Sequence, residues 1–280
     1  MGGVLTRLAA MKARKNGTKV FYTAHGFHFY RHSPIQNWLF YYPVENLLSR
    51  YTDVLITINK EDYSRALQFK AGKIEYIPGV GINVNRFNNI KVDYAIKRME
   101  IGVLENSFLI LSVGELNKNK NHEVVIRAIA RLNNKNIQYL ICGKGPLEDY
   151  LIKLAENLGI NNQVKLLGYR NDINEICKIA DVFVFPSKRE GLSVSVMEAM
   201  ASGLPIIASR IRGNTDLINE MMGGYLVNAD DIEGFAKYIN ILYNSDETRK
   251  KFSCHNIKYI NEYSLDIVKN KMEEIYKQYL

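Results

Sequence analysis

No stretch of this 280-residue chain is apolar for the roughly 18 residues that a membrane-spanning helix requires. Its opening, MGGVLTRLAAMKARKNG, also lacks the apolar centre of a secretory signal. Both absences predict a cytoplasmic protein. Cysteine is scarce: Cys142, Cys177 and Cys254 are far apart, odd in number and without histidines at ligand spacing. That excludes a disulfide framework, gives no support to a zinc site and leaves buried thiols as the expectation. Internal repeats, heptad arrays and low-complexity segments are missing. So are zinc-finger, RNP and basic-zipper patterns, and the reading includes no nucleic-acid partner. No G-x-G-x-x-G follows a strand, which disfavours a nicotinamide dehydrogenase.

What is present is an ordinary globular composition, 47% hydrophobic and 24% charged, with a net charge of +8. The excess is local. Residues 1–100 carry 15 Lys/Arg against 7 Asp/Glu, and residues 101–280 carry 22 against 22. An anionic membrane surface fits this imbalance, with RLAAMKARK read as a short basic amphipathic helix; a merely solvated basic helix fits it equally.

Apolar or β-branched runs alternate with helical stretches. KVFYTAH, DVLITI and KIEYIPG read as strands separated by the helices IQNWLFYYPVENLLSR and KEDYSRALQF. A less ordered VGINVNRFNNIKVD follows. The alternation then restarts with FLILSVGEL, IQYLICGKG, QVKLLGY, DVFVFPS, LPIIAS and GGYLVN as strands, and the tail from about Asp231 is nearly all helix. Alternation of this kind implies parallel sheets in an α/β fold. The expected domains are 1–90 and 91–262, each Rossmann-like, with 263–280 packing back on the first. At roughly 30 residues per βαβ unit the first sheet reads as incomplete, as though the chain began within a domain.

Chemistry-bearing residues gather where strands end, the edge at which open α/β sheets bind ligands. GELNKNKNH places Gly114 in a turn and Lys120 just before a helix. CGKGP offers Gly143 for close backbone approach and Pro146 to open a helix; LGYRND offers Gly168, Tyr169 and Arg170. FPSKREGLSVSV leads into a helix N-terminus suited to phosphate. Glu190 and Glu198 bracket GLSVSVM. Ser193 or Ser195 capping a helix with Glu198 on its solvated side is the plain explanation, and a nucleotide crevice is the functional one. His25 closes the first strand, with a core position beside Phe27 and Phe29 as its alternative. His25, His28 and His32 without a nearby carboxylate make a weak metal set, and no metal is assigned.

SVGELNKNKNH, CGKGP, LGYRNDI, PSKREGLSVSVMEAMASGLPIIAS and GGYLV together resemble the nucleotide-sugar half of the retaining GT-B glycosyltransferases of family 4. YTAHGFHFY, TDVLITINKED and YIPGVGINVNRF resemble the later part of that family's acceptor domain, in its capsule and exopolysaccharide branch. The resemblance implies a hexose transferred from a nucleoside diphosphate, UDP foremost, to a lipid-linked or polysaccharide acceptor at the inner membrane face, with no metal cofactor. It implies that Glu198 holds the ribose, Glu190 the donor sugar, and Lys120 the diphosphate. Gly191 and Leu192 lie beside sugar and phosphate, Gly168, Tyr169 and Arg170 flank the base, and His25 reaches the reacting sugar. Glu115 departs from the family, which has an arginine there for the diphosphate; Lys118 would have to compensate unless Glu115 turns away. The alternatives are an inactive or split nucleotide-sugar-binding module, completed by a polypeptide carrying the first strands, and an epimerase, for which too few acid/base residues are present.

Overall fold

The structure, a computed structural model, describes residues 2–31 and 33–279. Its contacts divide the chain into two units: the segment up to Gly81 together with Tyr263 onward, and Ile82–Glu262.

In the first unit α1 (Gly2–Ala9) and α2 (Met11–Lys15) precede β1 (Phe21–Ala24), α3 (Ile35–Ser49), β2 (Val54–Thr57), α4 (Lys60–Ala66) and β3 (Lys73–Tyr76). The strands are parallel in the order β1-β2-β3, with Phe21 opposite Val54 and Thr57 opposite Tyr76. Phe27, Phe29 and Phe69 form an aromatic core that receives Trp38 and Tyr42 of α3. The chain's last helix, Leu265–Lys277, reaches the same sheet, and Tyr276 sets its ring 4.9 Å from that of Phe21.

RLAAMKARK is not one basic amphipathic helix. It breaks at Ala10 into α1 and α2, and two of its cations turn inward. Buried Arg7 lies over the Tyr22 ring and donates to Glu45 at 2.8 Å; Arg14 binds both oxygens of Asp53 at 2.9 Å. Partnered guanidiniums on apolar stems can pack against the domain, where either a membrane-facing or a solvated basic helix was expected.

In the second unit come α5 (Val84–Asn88), α6 (Tyr94–Glu100), β4 (Phe108–Val113), α7 (His122–Leu132), β5 (Ile137–Cys142) and α8 (Glu148–Asn157). They are followed by β6 (Val164–Gly168), α9 (Ile173–Ile179), β7 (Val182–Phe185), α10 (Val194–Ala201), β8 (Ile206–Ser209) and α11 (Asn214–Leu217). β9 (Gly224–Val227), α12 (Ile232–Asn244) and α13 (Asp246–Tyr259) complete the unit. All six strands are parallel in the order β6-β5-β4-β7-β8-β9. This is the doubly wound arrangement, whose order reverses at β4/β7 and opens a crevice at the carboxyl ends of the strands. Ile110, Leu111, Tyr139, Leu140, Phe183 and Val184 are wholly buried because helices cover both faces, which is why these strands read as unbroken apolar runs.

Three local readings change. The segment taken as less ordered contains α5, whose N-cap Asn83 accepts from the Arg86 N–H at 3.2 Å. α8 opens at Glu148, two residues beyond Pro146. All three thiols are free and two are buried, but Cys254 is exposed on α13.

Candidate functional site

Two neighbouring loops are held together by their backbones. After β4 the chain turns at Gly114, and the Asn117 side chain accepts from the Lys120 N–H at 2.9 Å. After β7 the loop reaches back: Lys188 N–H donates to the Asn119 carbonyl at 2.8 Å, and Asn119 Nδ2 donates to the Arg189 carbonyl at 3.0 Å. This stitching sets Lys120 Nζ 2.8 Å from Glu190 Oε1 and 4.7 Å from the centre of the Phe185 ring. Sequence reading put the two residues in separate roles; the fold makes them a partly buried ion pair. From beneath, Arg212 Nε donates to the Glu190 carbonyl at 2.9 Å. Gly213, at φ +79°, packs so closely on Gly191 that a Cβ there would fall on the Gly191 carbonyl. Gly191 and Leu192 are therefore held from below, ahead of α10.

Of the two serines, Ser193 is the cap: its hydroxyl accepts from the Val196 N–H at 3.3 Å and meets Ser195 Oγ at 3.0 Å. One and a half turns on, Glu198 is half-buried where a solvated side chain was the plain expectation. Burial raises its pKa above the usual 4.5, opposed by the nearby positive charge of Arg86. Its carboxylate accepts no hydrogen bond from a described residue. A partly desolvated carboxylate without a donor is a strong acceptor for a ligand's hydroxyls.

Glu198 lies in the wall of a cavity of about 720 Å³ that Gly114, Glu115, Gly143, Lys144, Tyr169 and Arg170 also line. Lys120, Gly168, Glu190, Gly191 and Leu192 are not in that wall. Lys120, Glu190, Gly191 and Leu192 form an adjoining cluster, joined to it at Gly114, where a Cβ would lie 3.2 Å from Lys120 Cδ, whereas Gly168 ends β6 and its carbonyl accepts from the Gly143 N–H at 2.8 Å. Gly168, at φ +65°, turns the chain at the end of β6, and Tyr169 beyond it is 72% exposed. Arg170 is less available than its loop position suggested: its guanidinium binds Asp172 at 2.8 and 2.5 Å and Glu100 at 3.0 Å. The Arg170 guanidinium, and after it Lys97, hold Asp172 well below the ordinary carboxylate range. Glu115 is exposed and accepts from Asn117 Nδ2 at 2.8 Å, while still lining the cavity. His25 belongs to the first unit. It is exposed just after β1, which removes the core alternative; Phe27 and Phe29, which stack at 4.8 Å, enter that core without it. His28 stacks on Tyr41 at 4.5 Å, and His32 lies outside the described residues. Among the described residues no cluster of His, Cys, Asp or Glu has a metal-binding arrangement.

Sequence reading missed Arg86, Lys144, Arg212 and His122. Asn83 was a visible capping signal for the helix bearing Arg86, but nothing local places that helix beside Glu198. His122 opens α7 behind the Lys120 loop, buried, with Nδ1 3.2 Å from the Tyr139 hydroxyl, which donates to Ser112 Oγ at 2.8 Å. Burial, and then the charge of Lys120, push its pKa down to about 4. The unfolded chain therefore binds the extra proton first. Its contribution to stability is complete above the ordinary value of 6.5 and is lost as pH falls from there towards 4, by about 3 kcal/mol. Urea titrations across that range, with His122→Gln as control, should show the slope in the wild type and a shallower one in the variant. Equal slopes would remove this assignment.

Residues 93–258 match the family described as Glycosyl transferases group 1. EpsD of Bacillus subtilis (strain 168) is 41% identical over 285 residues, spanning 100% of this chain and 75% of that protein. The Escherichia coli UDP-Gal:alpha-D-GlcNAc-diphosphoundecaprenol alpha-1,3-galactosyltransferase is 30% identical over 284 residues, spanning 98% of this chain and 72% of the enzyme. Among solved structures, Anabaena Alr3699/HepE in complex with UDP superposes with a TM-score of 0.85 at 19% identity, covering 99% of this chain and 76% of that one. That likeness shows the fold, an α/β GT-B architecture with parallel sheets. With a family match over more than half of its length and a relative this similar along all of it, the chain belongs to the group 1 glycosyltransferases.

Proposed function

We propose that the chain is a retaining, family 4 glycosyltransferase that moves a hexose from a UDP-sugar to a lipid-linked or polysaccharide acceptor in the making of a bacterial surface polysaccharide. The observation that carries the reading is Glu198, a half-buried carboxylate with no hydrogen-bond donor among the described residues, in the cavity at the carboxyl ends of β4, β5 and β6. Its role is to accept from the ribose hydroxyls. Gly143, Gly168 and Tyr169 flank the base, and Arg170 shapes that wall through Asp172. Lys120 stabilises the leaving diphosphate, joined by the backbone N–H groups of Gly191 and Leu192. Glu190, held by Lys120, turns its remaining oxygen to the hydroxyls of the donor sugar. His25 serves the reacting sugar from the acceptor-side unit. In retaining chemistry of this kind the bond from C1 to the diphosphate breaks, the acceptor oxygen bonds C1 on the same face, and the departing phosphate takes the acceptor's proton. The protein supplies position and charge.

Supporting the choice of donor and acceptor, a relative is named for UDP-galactose and a diphosphoundecaprenol acceptor, and a Campylobacter jejuni relative, 32% identical over 157 residues, for another diphospho-undecaprenol sugar. Attachment at the inner membrane face follows from such an acceptor. The test is a panel of UDP-hexoses incubated with a diphosphoundecaprenol-linked saccharide, followed by NMR of the product linkage. A product with the donor's anomeric configuration is expected. An inverted linkage overturns the retaining assignment, and UDP binding without turnover favours the binding-module alternative.

Glu198→Ala should weaken UDP binding by about 1.5–3 kcal/mol, tenfold to more than a hundredfold, while the protein still melts cooperatively. Since ribose hydroxyls need the ionised carboxylate and burial raises its pKa, wild-type affinity should begin to fall at a higher pH than an ordinary glutamate would cause. Glu198→Gln should lose that pH dependence. Calorimetry across the acidic range decides it, and unchanged affinity in the alanine variant would count against the ribose role.

A further inference from the structure

Helix α3 is apolar on two sides. Its inner side carries Trp38 and Tyr42 into the aromatic core of the first unit, and Leu48 is buried as well. Its outer side presents Ile35, Leu39, Phe40, Pro43, Val44 and Leu47, all exposed, with Leu39 at 65% and Phe40 at 69%. A helix of 15 residues is about 22 Å long, and this stripe runs nearly its whole length. A solvated helix keeps one apolar face, so an outer face with no acidic residue needs a second environment. The one acid of α3, Glu45, lies off the stripe and binds buried Arg7.

Charge identifies that environment. Exposed Arg31 precedes the helix and exposed Arg50 caps its end. α2 is tied to the same end, because Arg14 Nη1 donates to the Arg50 carbonyl at 2.8 Å, and it adds exposed Lys12 and Lys15. An apolar stripe with cations at both ends suits the boundary of an anionic bilayer, where apolar side chains enter roughly 5–10 Å while Lys and Arg stay among the headgroups. A second copy of the chain suits it poorly: a two-fold contact of stripe on stripe sets one group of cations against the other. A strand added to the sheet would bond along the β1 or the β3 edge, and edge pairing by itself does not cover the outer side of α3.

We propose that the outer face of α3, flanked by Lys12, Lys15, Arg31 and Arg50, is the surface by which this protein enters an anionic membrane. This deepens the reading above, since it specifies how the enzyme meets a bilayer that holds its acceptor.

The test compares sedimentation of the whole protein with phosphatidylglycerol-containing vesicles and with pure phosphatidylcholine vesicles. Leu39→Gln with Phe40→Gln should reduce partitioning onto the anionic vesicles at least roughly tenfold, with unchanged melting. Lys12→Gln with Lys15→Gln should cost about fivefold for each cation, and the wild type should lose binding in high salt. Hydrogen exchange on the wild type needs no substitution, and added anionic vesicles should slow it over residues 35–50. The proposal is overturned if the wild type ignores anionic vesicles, if the apolar variant binds them as the wild type does, or if exchange slows elsewhere instead. It is equally overturned if sedimentation velocity shows a dimer that the apolar variant dissociates. UDP calorimetry on the same samples separates the two readings: retained UDP binding without vesicle binding sinks only the membrane surface, and the reverse sinks only the glycosyltransferase site.

Discussion

Replacing Lys120 with alanine is expected to lower the rate constant for sugar transfer by a factor of about 10²–10³, the usual consequence of removing one group that stabilises charge developing in the transition state. Two effects act together. On the proposed roles the diphosphate would lose its cation as it leaves, and Glu190, which Lys120 holds at 2.8 Å, would be left with an uncompensated negative charge beside it. A second substitution separates them: Glu190→Gln in the Lys120→Ala background removes the repulsion and should restore part of the lost UDP affinity. If Lys120 were only a structural partner of Glu190, the single variant would lose stability and keep its turnover per folded molecule. Melting curves and initial rates measured on the same preparation decide between the two. A Lys120→Ala enzyme at wild-type rate would remove Lys120 from the mechanism altogether.

Gly143→Ala should strongly destabilise the second unit. Gly143 sits at φ +156°, and a Cβ added there would land on the carbonyl of Gly114, in the neighbouring strand-end turn. Backbone is the obstacle, so no side chain can swing aside. Overpacking of this kind with backbone strain costs about 3 kcal/mol, equivalent to a fall of roughly 6–12 °C in Tm for a unit of this size. The same shift moves Gly114 away from Lys120 and the cavity wall, and UDP affinity should fall with it. Gly159→Ala is the control. Gly159 has φ +69° but nothing within 4 Å of its added Cβ, so only conformational strain is paid, about 1 kcal/mol, with no change in UDP affinity. Similar losses in the two variants would show that strain, and not the Gly114 contact, governs Gly143.

Much of the architecture could be read directly because its causes are local. FLILSV, IQYLIC and DVFVFP became β4, β5 and β7 since strands covered on both faces carry uninterrupted apolar runs, and the glycines that follow mark where the chain must turn. The helix bearing Glu198 was legible for the same reason: Ser193 is a capping residue, and its bond to the Val196 N–H needs only the next turn. Family resemblance in the loops then singled out Lys120, Glu190 and Glu198.

What sequence by itself determined, then, was the succession of strands and helices, the strand-end turns and the residue types offered at them, all of which depend on neighbours within a few positions. Tertiary structure decided which of those groups are available. Arg170 looked free at a loop and is held by Glu100, 70 residues earlier; Arg7 and Arg14 looked solvated and are drawn inward by Glu45 and Asp53. Lys120 and Glu190, also 70 apart, meet because two loops share backbone hydrogen bonds, and Arg86 comes beside Glu198 only because α5 packs on α10. The outer stripe of α3 shows the same division. Its apolar residues are plain in the sequence, but only packing reveals which half of them the core takes and which half it leaves exposed. Charges and hydrophobes act through space, and their partners are chosen by distances that chain order does not contain.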